Sequence, residues 1–187
     1  MKNWISAILL LGLLAGGCWF YVQRREHSQD RVIAEAAKRY GVDPALVKAV
    51  VWRESWFDPA AVGRVGEAGL MQIGDSASAE WAATEKLTYL PREALFNPRT
   101  NVLAGTWYLG RLLKRYQTMD RPEVYALADY NAGRTRVLRW MAGEGKTNSQ
   151  RFLETMDFPA TKHYVLSIVE RRARYVADPG LSLSSSR

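Results

Sequence analysis

The chain has one cysteine, Cys18, and two histidines, His27 and His163, in 187 residues. One cysteine excludes an intrachain disulfide and a cysteine metal cluster, and two distant histidines make a poor metal site. No metal and no organic cofactor is expected. Convincing apolar–polar alternation of period two is missing as well, which argues against a sheet. Also lacking are an internal repeat and a known motif for reading DNA or RNA.

What is present is a globular composition, with 48% apolar and 24% charged residues, sufficient for one ordinary domain. The formal net charge is +7, an excess that favours anionic partners such as nucleic acid, acidic lipid or cell-wall polymer. Because the basic residues are scattered and unaccompanied by a recognition motif, nucleic acid is not expected as a partner.

The amino terminus differs in kind. From Trp4 to Val22 every residue except Ser6 is apolar, glycine or cysteine, and about 20 such residues suffice for a helix to cross a bilayer. Residues 1–22 therefore read as a transmembrane anchor, with Trp19, Phe20 and Tyr21 as an interfacial cluster. A lipoprotein signal is the alternative: Leu14 to Gly17 resemble the segment before an acylated cysteine, here Cys18. Arg24 and Arg25 follow the run and Lys2 precedes it, so charge bias alone does not place the following domain outside the cytoplasm.

After a polar linker over 23–30, residues 31–178 read as an all-α domain, with 179–187 as a frayed serine-rich tail. The periodicity predicts helices over Arg31–Tyr40, from Pro44 behind an Asp43 cap, and from Pro98 behind Asn97 to about Tyr116. Further helices are expected from Asp120 to Asn131, from Thr135 to Met141 and from Ala160 to Val176.

On the helix from Pro44, Leu46, Val47, Val50 and Val51 form an apolar stripe. Glu54 lies two turns beyond Val47 on nearly the same face. Desolvation and the negative carboxyl end of a helix both disfavour an anion, so its pKa should rise. A general acid working near neutrality requires that. Two ordinary alternatives stand beside this one: a glutamate exposed as the helix frays, or one paired with Arg53.

Further motifs follow in order. Glu54 and Ser55 precede Trp56 and Phe57; then come Gly69-Leu70-Met71-Gln72-Ile73, Tyr130-Asn131-Ala132-Gly133 and Thr161-Lys162-His163-Tyr164-Val165, with Asn101, Val102, Gly105, Tyr108 and Leu109 between them. This series, over about Ile33 to Val176, resembles the soluble-type lytic transglycosylase family.

The resemblance implies a lysozyme-like helical domain acting on peptidoglycan glycan strands at the periplasmic face of a bacterial membrane. It assigns Glu54 as the single acid and base. Ser55, Met71, Gln72, Tyr130, Asn131 and Tyr164 become candidates for holding the sugar, with Trp56 and Phe57 as possible apolar surface for its rings. For Met71 and Tyr164 plain core packing is an equal reading. The implied reaction cleaves the β-1,4 bond between N-acetylmuramic acid and N-acetylglucosamine and leaves 1,6-anhydro ends.

The chain departs from the family pattern at Asp129, usually alanine, at Ala160, usually a cleft glutamate, and over Gly74 to Ser78. Two alternatives remain open on sequence. One is a hydrolytic goose-type muramidase with Asp75 as base, or less favourably Asp58 or Glu67. The other is a non-catalytic wall-binding or assembly subunit.

Overall fold

The computed structural model describes the backbone of residues 2–177, and the side chains of residue 8 and residues 10–177. Its helices are α1 (Lys2–His27), α2 (Asp30–Tyr40), α3 (Pro44–Ser55), α4 (Asp75–Thr84), α5 (Pro98–Arg115), α6 (Pro122–Ala132), α7 (Arg134–Trp140), α8 (Ser149–Thr155) and α9 (Pro159–Val176). Among the described residues there is no strand; isolated antiparallel bridges join Val62 to Ala68 and Ala68 to Ile73 in the loop after α3. The fold is all-α.

The central helix is α3. Asp43 accepts the Ala45 N–H at 2.9 Å and Pro44 occupies the first turn, which fixes its start. Every residue from Ala45 to Val51 is buried, Lys48 included. The stripe expected from periodicity is thus a helix covered on all sides, chiefly by α9 and α2. The Lys48 ammonium is 2.7 Å from Asp30 and sits over the Tyr175 ring at 4.9 Å, so the buried cation is paired. α5, capped by the Asn97 side chain at Arg99 and Thr100, lies against α2, α4 and α6, and α6 in turn packs on α9.

Two boundaries differ by more than one residue from those predicted. Asp120 does not open α6, which starts at Pro122; its carboxylate instead accepts from Ser149 N–H at 3.0 Å and Ser149 Oγ at 2.7 Å, tying down the start of α8. The polar segment from Gln23 is not a loose linker, because α1 continues to His27. Glu26 accepts from Arg171 at 2.6 Å and from the Tyr175 hydroxyl at 2.5 Å, so these helical residues dock onto α9.

Part of the apolar run of α1 and the whole of 179–187 lie outside the described side chains. Among the described residues no helix is long and apolar enough to cross a membrane. Those that are described along α1, from Ile8 and Leu10 to Tyr21, are largely exposed, and Cys18 is a free, exposed thiol.

Candidate active site

α3 ends one residue beyond Glu54. Trp56 (φ 54°) and Phe57 (φ 60°) then adopt successive left-handed conformations, unusual for aromatic residues and held by their surroundings. The Trp56 N–H closes the helix on the Trp52 carbonyl at 3.1 Å, and Phe57 drops into the core with 3% exposure. This reversal sends the chain back over Glu54. Phe57 is core, and the exposed Trp56 borders a small recess beside Tyr21 and Val22 of α1.

The returning loop is pinned by side chains from three helices. Asn101 on α5, fully buried, accepts the Met71 N–H at 2.8 Å and donates to the Ala68 and Leu95 carbonyls at 2.7 and 2.8 Å. Gly69 turns at φ +74°, and a Cβ there would collide with the Asn101 amide and the Leu95 carbonyl. Ser55 Oγ donates to the Leu70 carbonyl at 2.8 Å, and the Tyr130 hydroxyl donates to the Met71 carbonyl at 2.8 Å. Gln72, itself at φ 48°, gives its amide hydrogens to the Gly69 and Ala61 carbonyls at 2.9 and 3.2 Å.

Between this loop, α5 and α6 lies an open cleft of about 330 Å³, bordered by Glu54, Glu67, Gln72, Tyr108, Tyr130, Asn131 and the first turn of α4. Glu54 is at its floor. Its carboxylate accepts the Tyr164 hydroxyl at 2.5 Å. Burial pushes its pKa from the usual 4.5 to about 7; the Tyr164 hydrogen bond and the Arg53 charge oppose the rise, and Glu67 adds to it. Burial and the proximity of Glu54 also lift Tyr130 and Tyr164 well above the ordinary phenol range, so both hydroxyls stay protonated donors.

The predicted site residues separate into two groups. Glu54, Gln72, Tyr130 and Asn131 meet at the cleft. Ser55, Met71 and Tyr164 are not among the residues that border it. Met71 is fully buried against α5, its sulfur 3.9 Å from Thr106 Oγ1. The Ser55 hydroxyl is spent on backbone carbonyls. Tyr164, 3% exposed, holds the Glu54 carboxylate instead.

What the cleft residues retain for a ligand follows from the bonds they have made. Asn131 Oδ1 accepts the Thr161 hydroxyl at 2.8 Å, leaving its N–H donors, whereas Gln72 keeps its acceptor oxygen. Tyr108 and Glu67 are cleft residues that the motifs did not single out for sugar binding. The Tyr108 ring lies 5.4 Å from that of Tyr130. Asp75, the favoured base for a hydrolytic reading, points away: its side chain is 90% exposed and 3.4 Å from Arg92. Ala160 is exposed in the first turn of α9 and is not among the residues that border the cleft.

The domain is all-α, with the Glu54 carboxylate held by Tyr164 in an open cleft, and solved structures share its lysozyme-like fold. The 70-kDa soluble lytic transglycosylase SLT70 of Escherichia coli superposes with a TM-score of 0.74 at 24% identity, over 90% of this chain and 28% of that one. An inactive-mutant structure of lytic transglycosylase Slt from Pseudomonas aeruginosa also gives 0.74, over 86% and 25% of the two chains.

Residues 31–153 match the transglycosylase SLT domain, and the chain belongs to that family. A membrane-bound lytic murein transglycosylase C of Shigella sonnei is 32% identical over 142 residues, 73% of this chain and 39% of that protein. A putative soluble lytic murein transglycosylase of Haemophilus influenzae is 28% identical over 170 residues, 90% of this chain and 28% of that one. This chain thus spans well under half the length of these relatives.

Proposed function

We propose that the chain is a peptidoglycan lytic transglycosylase, cleaving the β-1,4 bond between N-acetylmuramic acid and N-acetylglucosamine and closing the muramic residue to a 1,6-anhydro ring. The observation that carries the reading is the Glu54 carboxyl, buried at the cleft floor with its pKa raised to about 7. At neutral pH the protonated and ionised forms are then both populated, as one group serving as acid and then base requires.

In the first step Glu54 protonates the departing glycosidic oxygen. The substrate's own N-acetyl oxygen closes on the anomeric carbon and takes up the positive charge, so no protein nucleophile is needed. Glu54, now an anion held by Tyr164, takes the proton of the 6-hydroxyl as that oxygen attacks the anomeric carbon and displaces the acetyl oxygen. No water is consumed. The N–H donors of Asn131 and the acceptor oxygen of Gln72 suit the N-acetyl and hydroxyl groups of the sugar, and fixed placement lowers the barrier further.

The membrane reading extends the proposal. α1 is 26 residues long, or about 39 Å at 1.5 Å per residue, and its described apolar side chains are exposed all round. Such a surface calls for lipid, and one relative is named membrane-bound. We place the domain at the periplasmic face of a bacterial membrane, tethered by α1 or by an acyl chain on Cys18.

Purified sacculi test the activity. Wild type should release muropeptides with anhydro ends, and Glu54→Gln should reduce release by at least about 100-fold, the usual scale of acid–base catalysis, while sacculus binding persists. Reducing ends in place of anhydro ends would replace the reading by a hydrolytic muramidase; no release by wild type would leave a binding module.

A further inference from the structure

Glu67 reaches the border of the cleft because residue 63 is glycine. It sits two residues before Gly69 on the pinned loop, where the Gly63 N–H donates to its carbonyl at 2.8 Å and the Val62–Ala68 bridge fixes the backbone. Its carboxylate occupies the space that a side chain at position 63 would take. A Cβ on Gly63 would overlap Glu67 Oε2 and would stand 2.7 Å from Gln72 Oε1. Glycine at 63 therefore lets two acceptor groups, one of them anionic, converge on the same border of the cleft.

The charge is also left open. Glu67 takes a single backbone N–H, from Val65 at 3.2 Å, and among the described residues no lysine or arginine pairs with it. Most other carboxylates of the domain have such a partner: Asp43 with Arg172, Asp75 with Arg92 and Asp129 with Arg115. An anion facing a cleft without a counter-ion favours a ligand that carries, or develops, positive charge.

We propose that Glu67 is a second functional carboxylate of the cleft, which stabilises the positive charge developing on the bound amino sugar while Glu54 delivers its proton. The inference rests on the glycosidic reading of the cleft and assigns it an electrostatic partner. Glu67 transfers no proton in this scheme and forms no bond; it holds charge opposite charge. Its effect on Glu54, whose pKa it helps to raise, comes from the same uncompensated anion.

The decisive measurement is binding, which does not depend on turnover. The full chain in detergent is titrated by calorimetry with neutral tri-N-acetylchitotriose and with the same trisaccharide carrying a protonated nitrogen in one ring. Wild type should bind the cation at least tenfold more tightly. Glu67→Gln keeps the size and the acceptor for Val65; it should remove that preference while leaving neutral affinity within twofold. Gly63→Ala, which displaces the carboxylate without removing it, should weaken the preference in the same direction, with melting temperatures confirming that both variants fold.

On sacculi, Glu67→Gln should lower kcat at least tenfold with little change in KM, and should move the alkaline limb of the pH profile downward. Equal binding of the two sugars by wild type, binding of neither, or a preference untouched in Glu67→Gln overturns the proposal. A charge preference lost in Glu67→Gln, in a protein that releases nothing from sacculi, supports the role of Glu67 and sinks only the lytic reading. Lysis lost in Glu54→Gln with Glu67→Gln unaffected does the reverse.

Discussion

Glu54 and Tyr164 divide two protonation states between them. Burial favours the neutral acid, and the Tyr164 hydroxyl favours the anion. Removing that hydrogen bond in Tyr164→Phe should lift the Glu54 pKa beyond about 7. The alkaline limb of the kcat/KM profile on sacculi should move to higher pH, while kcat falls because the base is weaker oriented. In the wild type that limb should fall near pH 7, as the acid form is lost. The same raised pKa has a cost in stability. The folded chain holds this proton more tightly than the unfolded chain, so stability decreases as pH rises from about 4.5 to about 7. For a shift of this size the loss is up to ~3 kcal/mol. Glu54→Gln escapes it, so urea unfolding should show the variant gaining relative to wild type at pH 8 but not at pH 4.

At the scale of elements, one amide, that of Asn101, makes three of the bonds that hold the loop over the cleft. Asn101→Ala would strand the Met71 N–H and two carbonyls that Asn101 now satisfies. The expected cost is about 2–4 kcal/mol, read as a lower denaturation midpoint together with weaker sugar binding. Asp129, where the family usually carries alanine, holds Arg115 and the Tyr116 hydroxyl at 2.7 Å each and so joins α6 to α5. Asp129→Ala leaves a half-buried guanidinium unpaired and should cost about 2–4 kcal/mol, part of which a second change, Arg115→Met, should restore. These ties explain what sequence could reveal. Proline and cap signals located α3 and α5 because they act within a few residues, and four ordered motifs brought Glu54, Gln72, Tyr130 and Asn131 to one place. Asp120 misled because its carboxylate caps a helix 29 residues onward. Ser55, Met71 and Tyr164 belong to the right motifs, but whether a side chain faces substrate or scaffold depends on contacts 15 to 110 residues away. Glu67 was legible only as a lesser candidate base behind Asp75, since its place in the cleft depends on the missing side chain of Gly63.

For the molecule as a whole, the junction between α1 and the domain sets the mechanics. Glu26, which is bonded to Arg171 and Tyr175, lies four positions after Val22 at the end of the apolar run; on a helix this is about 6 Å. Arg25 adds a contact with Asp58 at 3.5 Å. Trypsin should therefore cut slowly at Arg24 and Arg25 in the intact chain, and rapidly in Glu26→Ala. Under the lipid tether that we propose for α1, so short and stiff a stalk would give the domain almost no vertical play. The cleft would then work at one altitude above the bilayer, and the strands it could reach would be those that pass through that thin layer. Inserting a flexible glycine–serine segment after His27 should widen the zone of wall that membrane-bound protein can degrade, without changing turnover by detergent-solubilised protein.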